Sequence, residues 1–162
     1  MAGSSQPSDP RFSQTRSFFA ARCTVEIHIN AKPEVVWKLL TDAAGFPRWN
    51  STVSAIEGQI REGERLKLRA PGSKRVFTPR VSGVVPNRCM TWSDGVPGLF
   101  RGVRTFTLAT PDETSTDFAM SERFSGAMFA LTKGMLPDFQ PIFVAYAGDL
   151  QREAQRLAQG LA

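Results

Sequence analysis

Apolar residues recur at Phe139, Phe143, Tyr146, Leu150 and Leu157 near the end of the chain, with the small Ala154 between the last two. Spacing of three and four puts them on one face of an α-helix, predicted over Pro137 to Gln159. Asp138 can cap it, and Pro141 falls in the first turn, where a missing amide proton and a fixed φ cost little. From Gly148 onward Asp149, Gln151, Arg152, Glu153, Gln155 and Arg156 fill the other faces, which predicts a buried aromatic end and a half-wet C-terminal end. Upstream the period changes to two. In RCTVEIHIN, Cys23, Val25, Ile27 and Ile29 face one way and Thr24, Glu26 and His28 the other, as in a half-buried strand. NAKPEVVWKLLTD then reads as a helix, with Asn30 able to cap, Pro33 at its start and Val36, Trp37 and Leu40 as its apolar stripe. AAGFPRWN, broken by Gly45 and Pro47, predicts a short helix or turn holding Phe46 and Trp49 against the core.

Strand patterns fill the middle of the chain. Thr52 to Glu57 leads through the turn Arg61 to Gly63 into ERLKLRA, where Leu66 and Leu68 point inward between charges. After the turn Pro71 to Lys74, RVFTPRVSGVV contains Pro79 and Gly83, which predict an edge, a bulge or a bend. Pro86-Asn87 turns the chain back through RCMTWS. VPGLFRGVRTFTLAT and TSTDFAMSERF then flank a turn at Pro111-Asp112-Glu113. Alternation groups Arg104 with Phe106 and Leu108 in one strand, and Glu122 with Phe118, Met120 and Phe124 in the other. The order is β-α-α-β6-α. One long helix laid across one curved antiparallel sheet of about seven strands is the simplest α+β arrangement that buries both apolar faces. Residues 1–17, rich in Ser, Pro, Gln and Gly, are expected to form a disordered tail, and residues 18–162 a single domain.

Composition changes this picture little. A chain of 162 residues, 41% hydrophobic and 22% charged, buries a core without metal or disulfide help. Cys23 and Cys89 make no disulfide framework, which points to reduced thiols and a cytoplasmic setting. No apolar run approaches the roughly 20 residues of a membrane-spanning helix, and no signal-peptide pattern opens the chain. The net charge is +5, but the basic residues are scattered and not interleaved with aromatics, so no nucleic-acid partner is expected.

The segments INAKPEVVWKLLTDAAGFPRWN (Ile29 to Asn50), IEGQIREGERLKLRAPG (Ile56 to Gly72), VVPNRCMTW (Val84 to Trp92), VPGLFRGVRTFTL (Val96 to Leu108) and SERFSGAM (Ser121 to Met128), together with the last helix, resemble the START-like or Bet v 1-like superfamily. The likeness is in particular to its polyketide cyclase/dehydrase and lipid transport (SRPBCC) family, over roughly Arg22 to Gln159. These are fold signatures and locate no chemistry. The resemblance implies a helix-grip fold, with the long helix held by the concave sheet and a mostly apolar cavity between them. Its mouth would be lined by Phe46, Trp49 and Asn50, by Val96, Pro97, Leu99 and Phe100, and by Met128, Leu131, Met135, Leu136 and Phe139. Aromatics offer contact area and methionine adapts to shape, so this set suits a flat or flexible apolar ligand. The alternative is that the same side chains pack the interior shut.

Polar candidates for the cavity are few. Arg104 and Glu122 would share the concave face among Phe106, Phe118 and Met120, with Arg80 as a third member. They are equally compatible with holding a ligand's polar head and with a structural ion pair. Phe143 and Tyr146 on the closing helix complete the candidate lining, Tyr146 with a hydroxyl to offer. Glu122 is the one candidate for an acid or base. His28 reads as a satisfied or exposed side chain, and Cys89 as a structural thiol. With a single histidine and no CxxC, neither metal nor cofactor is expected. A carrier or sensor for a small hydrophobic or aromatic molecule leads. A polyketide cyclase or dehydratase using the same cavity and a protein-interaction domain stand as alternatives, and either a monomer or a homodimer is compatible.

Overall fold

The computed structural model of the protein describes residues 8–132, 134 and 137–160. The expectations for residues 1–7, Met135 and Leu136 fall outside the described residues. The period-two stretches form a six-stranded antiparallel sheet in the order β1 (Arg11–Arg16), β2 (Ala20–Ile29), β9 (Thr116–Ser125), β8 (Phe100–Ala109), β7 (Cys89–Val96), β6 (Arg80–Val85). A three-stranded sheet, β3 (Ala55–Glu57), β4 (Lys67–Arg69) and β5 (Val76–Phe77), adjoins it. The Val81 amide donates to the Glu64 carbonyl, and the Leu66 amide to the Pro79 carbonyl, at 2.9 Å each, which ties the two sheets together. Pro79 separates β5 from β6, and β6 is an edge strand whose register shifts between Ser82 and Val85, around Gly83. Asn87, at φ 61°, turns β6 into β7.

Across the concave face lies α4 (Gln140–Gly160), the arrangement of a helix-grip fold. Asp138 accepts a hydrogen bond from the Gln140 amide at 3.0 Å and so satisfies one of the donors that a helix start leaves free. Phe143, Tyr146, Ala147, Leu150 and Ala154 are buried against the sheet. The polar end of the helix is drier than expected, because Asp149 and Gln151 are buried as well. The Asp149 carboxylate accepts from the Ser51 amide and hydroxyl at 2.8 and 2.6 Å and pairs with Arg152. Gln151 donates to the His28 carbonyl at 2.7 Å. These bonds fasten the helix to the end of β2 and to the loop after α2 (Phe46–Trp49).

Three expectations need correction. Arg11–Arg16 is a strand paired with β2 and no tail. It buries little besides Phe12, whose ring meets Phe143 edge-on at 5.9 Å, so its main gain is backbone hydrogen bonding, which leaves no apolar signature. Asn30 does not cap α1 (Pro33–Thr41). Lys32 holds the cap position without a side-chain bond, while the Asn30 amide donates to Gln155. In α1 the buried stripe is Pro33, Val36, Leu39 and Leu40, and Trp37 is only half-buried. Among the described residues no helix is long and apolar enough to cross a membrane.

Candidate functional site

Strand register assembles the charged centre of the concave face. Arg104 in β8 lies directly opposite Glu122 in β9, and Glu122 in turn lies opposite Cys23 in β2. All three share the parity of the buried Phe106, Phe118 and Val25, so their side chains point towards α4. Arg104 donates from Nε at 3.1 Å and from Nη2 at 2.6 Å, both to Oε2 of Glu122. Its guanidinium carbon stands 5.7 Å from the centroid of the Phe143 ring on α4, a cation–π contact. Burial opposes the charge of Arg104, but the Glu122 carboxylate outweighs it and raises the guanidinium pKa. Beside the pair, burial and then the Glu122 charge push the Cys23 thiol up, so it stays protonated and inert.

Oε1 of Glu122 takes no bond from Arg104. It faces a place where the sheet presents no side chain, since Gly102 has the inward parity of Arg104. A Cβ on Gly102 would lie 3.8 Å from that oxygen and 3.7 Å from the Phe124 ring, in ordinary contact. A carboxylate acceptor therefore looks onto a gap bordered by an aromatic ring.

The larger part of the interior is an aromatic box around Tyr146. Phe46, Trp49, Phe106 and Phe118 surround its ring, with centroids 6.1 to 6.4 Å away. Trp92 closes the far side, 4.9 Å from Phe106 and 6.2 Å from Phe46. The Tyr146 hydroxyl and the Trp49 and Trp92 indole nitrogens of this box, together with the amide nitrogen of Asn50 next to Trp49 in the chain, are buried without a hydrogen-bond partner. Each such group costs about 1–3 kcal/mol relative to a bonded one, and an orphan of this kind calls for an explanation. Burial also drives the Tyr146 hydroxyl pKa well up, with the Arg104 charge partly opposing. The hydroxyl is thus a neutral donor at any ordinary pH.

The other expected lining residues divide. Phe46, Asn50, Phe106, Phe118, Met120, Phe143 and Tyr146 are buried together in the main core, with Trp49 half-buried against it. Phe139 stacks on Phe124 at 4.9 Å in a smaller cluster with Phe100 and Phe129. Leu99, Met128 and Leu131 are exposed, as are Val96 and Pro97. Arg80 is exposed too, on the parity opposite the buried Val81, and does not join the charged pair. Trp92, Cys23 and Gly102 were not among the expected site residues. Alternation with Met90 is the signal that could have placed Trp92 inside. His28 pairs with Asp117 at 2.7 Å on the outer face, beside a groove of about 620 Å³ lined by residues that include Asp9, Glu26 and Thr107. Cys89 is half-buried, with its thiol 3.7 Å from the Gly83 carbonyl. Among the described residues no group of three or more His, Cys, Asp and Glu side chains could hold a metal ion.

Comparison with known proteins bears on this geometry. The family model described as Polyketide cyclase / dehydrase and lipid transport matches residues 20–161. Comparison with curated proteins finds no match. Among solved structures the chain is similar to the Zhui aromatase/cyclase of a Streptomyces species, with TM-score 0.66 and 15% identity, covering 85% of this chain and 94% of that one. A conserved protein of unknown function from Enterococcus faecalis gives TM-score 0.64 and 16% identity over 94% of this chain and 80% of that one. A START superfamily protein from Mycobacterium smegmatis gives 0.59 and 14%, over 87% and 99%. At such identities the likeness is one of fold alone.

Proposed function

The chain belongs to the polyketide cyclase/dehydrase and lipid transport family, and from that premise we propose that it binds a small, largely apolar molecule between the sheet and α4. The observation that carries this reading is the set of buried donors without acceptors. The Tyr146 hydroxyl and the Trp49 and Trp92 indole N–H groups lie in an aromatic box. A flat ligand bearing carbonyl or hydroxyl oxygens would satisfy them and bury its rings at the same time. The gap at Gly102, with Glu122 Oε1 on its border, offers an acceptor for a ligand hydroxyl. The aromatic rings touch one another, so binding displaces side chains. The small cluster of Phe124, Phe129 and Phe100, joined to the main core through Phe139, which meets Phe143 at 6.2 Å, is the route that opens most easily.

Binding is favoured over catalysis because Glu122 is already committed to Arg104 and is not held as a free acid or base. The free thiols of Cys23 and Cys89 support a reducing, cytoplasmic place of work. Native mass spectrometry of protein taken directly from cells, followed by titration with an apolar fluorescent probe, tests the reading. The expected result is a bound small molecule, or a probe displaced more readily by hydroxylated flat aromatics than by hydrocarbons of equal size. Absence of both a bound mass and any probe binding overturns it.

A further inference from the structure

Among the described residues, one end of the molecule carries most of the exposed large apolar side chains, on three segments bound together through their backbones. The Gly126 amide donates to the Phe19 carbonyl, the Ala127 amide to the Gly98 carbonyl and the Met128 amide to the Leu99 carbonyl, at 3.2, 3.0 and 2.9 Å. The β1–β2 connection, the β7–β8 turn and α3 (Ala127–Thr132) therefore form one tip. From it project Phe18, Phe19, Val96, Leu99, Met128 and Leu131, 62, 60, 58, 48, 43 and 83% exposed. In α3, Met128 and Leu131 occupy one helical side while Phe129 alone is buried, the reverse of a helix that serves only its own core.

On the outer sheet face the charge beside this tip has one sign. On the outer sheet face next to it, Arg22 lies directly opposite Arg123, and Arg101 follows one rung nearer the tip on the neighbouring strand. Among the described residues none of these three arginines forms an ion pair, whereas like charges directly opposite repel. Further along the same face, away from the tip, Glu26 stands opposite Arg11 and Asp117 pairs with His28. Charge on this face is thus purely basic towards the apolar tip and mixed away from it.

We propose that this tip docks onto the surface of an anionic lipid bilayer, with the apolar side chains entering the headgroup region and Arg22, Arg101 and Arg123 meeting lipid phosphates. Side chains on narrow loop tips suit insertion between headgroups better than they suit the flat, extended contact of a protein interface. The single-sign guanidinium cluster selects an anionic layer and relieves its own repulsion there. This docking does not depend on whether the interior holds a ligand.

Flotation of the full-length, ligand-free protein with phosphatidylcholine vesicles, with and without phosphatidylglycerol, provides the test. The protein is expected to float with the phosphatidylglycerol vesicles at low salt, less so at high salt, and not with phosphatidylcholine alone. Leu131→Ser combined with Phe18→Ser should weaken flotation about tenfold or more. R22E combined with R123E should abolish it. The thermal transitions of these surface variants should match that of the parent, which separates lost docking from lost folding. No flotation on anionic vesicles overturns the proposal, as does flotation indifferent to both pairs of substitutions. A parent that is dimeric in solution and becomes monomeric on Leu131→Ser also overturns it, since the tip would then be an interface between two copies.

Discussion

At 15% and 21% exposure the side chains of Glu122 and Arg104 keep some contact with water, so separating them costs less than breaking a fully buried pair. Glu122→Gln preserves shape but strands the guanidinium. It is expected to lower stability by about 2 kcal/mol, read from urea unfolding. Adding Arg104→Met should recover most of that loss, because the uncompensated charge leaves with its partner. A single-variant loss below about 0.5 kcal/mol would show instead that solvent screens the pair. This pair is legible in the sequence, since a period of two settles which face each residue takes and one hairpin brings the two faces together. Arg80 is not, because its strand carries apolar residues on both parities. The orphaned indole nitrogens are not legible either, for whether an N–H meets an acceptor depends on side-chain torsions that alternation leaves free. Asp112 offers a test of the same kind in a loop. It accepts bonds from the Ser115 hydroxyl and from the Thr114 amide and hydroxyl, and these hold its carboxyl at about 2, below the usual 3.8. A depressed folded pKa means that the loop's bonds contribute fully above pH 3.8 and are lost as pH falls through 2. A carboxyl carbon titration by NMR should place the Asp112 midpoint near the lower value. A midpoint near 3.8 would mean that these bonds do not persist in solution.

Among the elements, those with a strong apolar period are readable and those held by backbone or by polar clamps are not. The long helix is readable because Phe143, Tyr146 and Leu150 repeat at helical spacing, although its clamping Asp149 looks like any solvated position until the Ser51 loop is seen beneath it. The edge strand β1 carries one useful ring, Phe12, and escapes a hydrophobicity-based reading. The corner between β9 and α3 rests on a backbone requirement. Gly126 has φ 124°, and a Cβ there would collide with the Leu99 carbonyl group. Gly126→Ala therefore meets both a disfavoured backbone conformation and a collision with backbone that has little room to shift. About 3 kcal/mol of destabilisation is expected. Limited proteolysis should cut the variant first around α3, where the staple to the β7–β8 turn has been lost. A variant with parental resistance and parental unfolding midpoint would mean that the corner relaxes without cost.

At the level of the whole molecule, the fold is legible as an order of elements, whereas the packing of its interior is not, because that packing depends on the torsions of many rings at once. Phe46, Phe106, Phe118 and Tyr146 could have left an open cavity or filled it. They lie in contact, with a hydroxyl buried among them and bonded to nothing. A protein selected for stability alone would gain by losing that oxygen, which makes Tyr146 the residue that best separates a structural interior from a binding one. Tyr146→Phe removes a desolvated hydroxyl that has no partner, so the ligand-free protein is expected to become more stable by about 1 kcal/mol. If the interior serves a ligand with an acceptor oxygen, the same variant should bind it about tenfold more weakly, the value of one lost hydrogen bond. Affinity for a hydrocarbon of the same shape should be unchanged. Thermal unfolding without ligand and probe displacement with matched hydroxylated and plain aromatics measure the two halves separately. A less stable Tyr146→Phe would mean that the hydroxyl finds a partner in solution. A more stable variant with undiminished affinity for every ligand would mean that the orphaned donor has no part in binding.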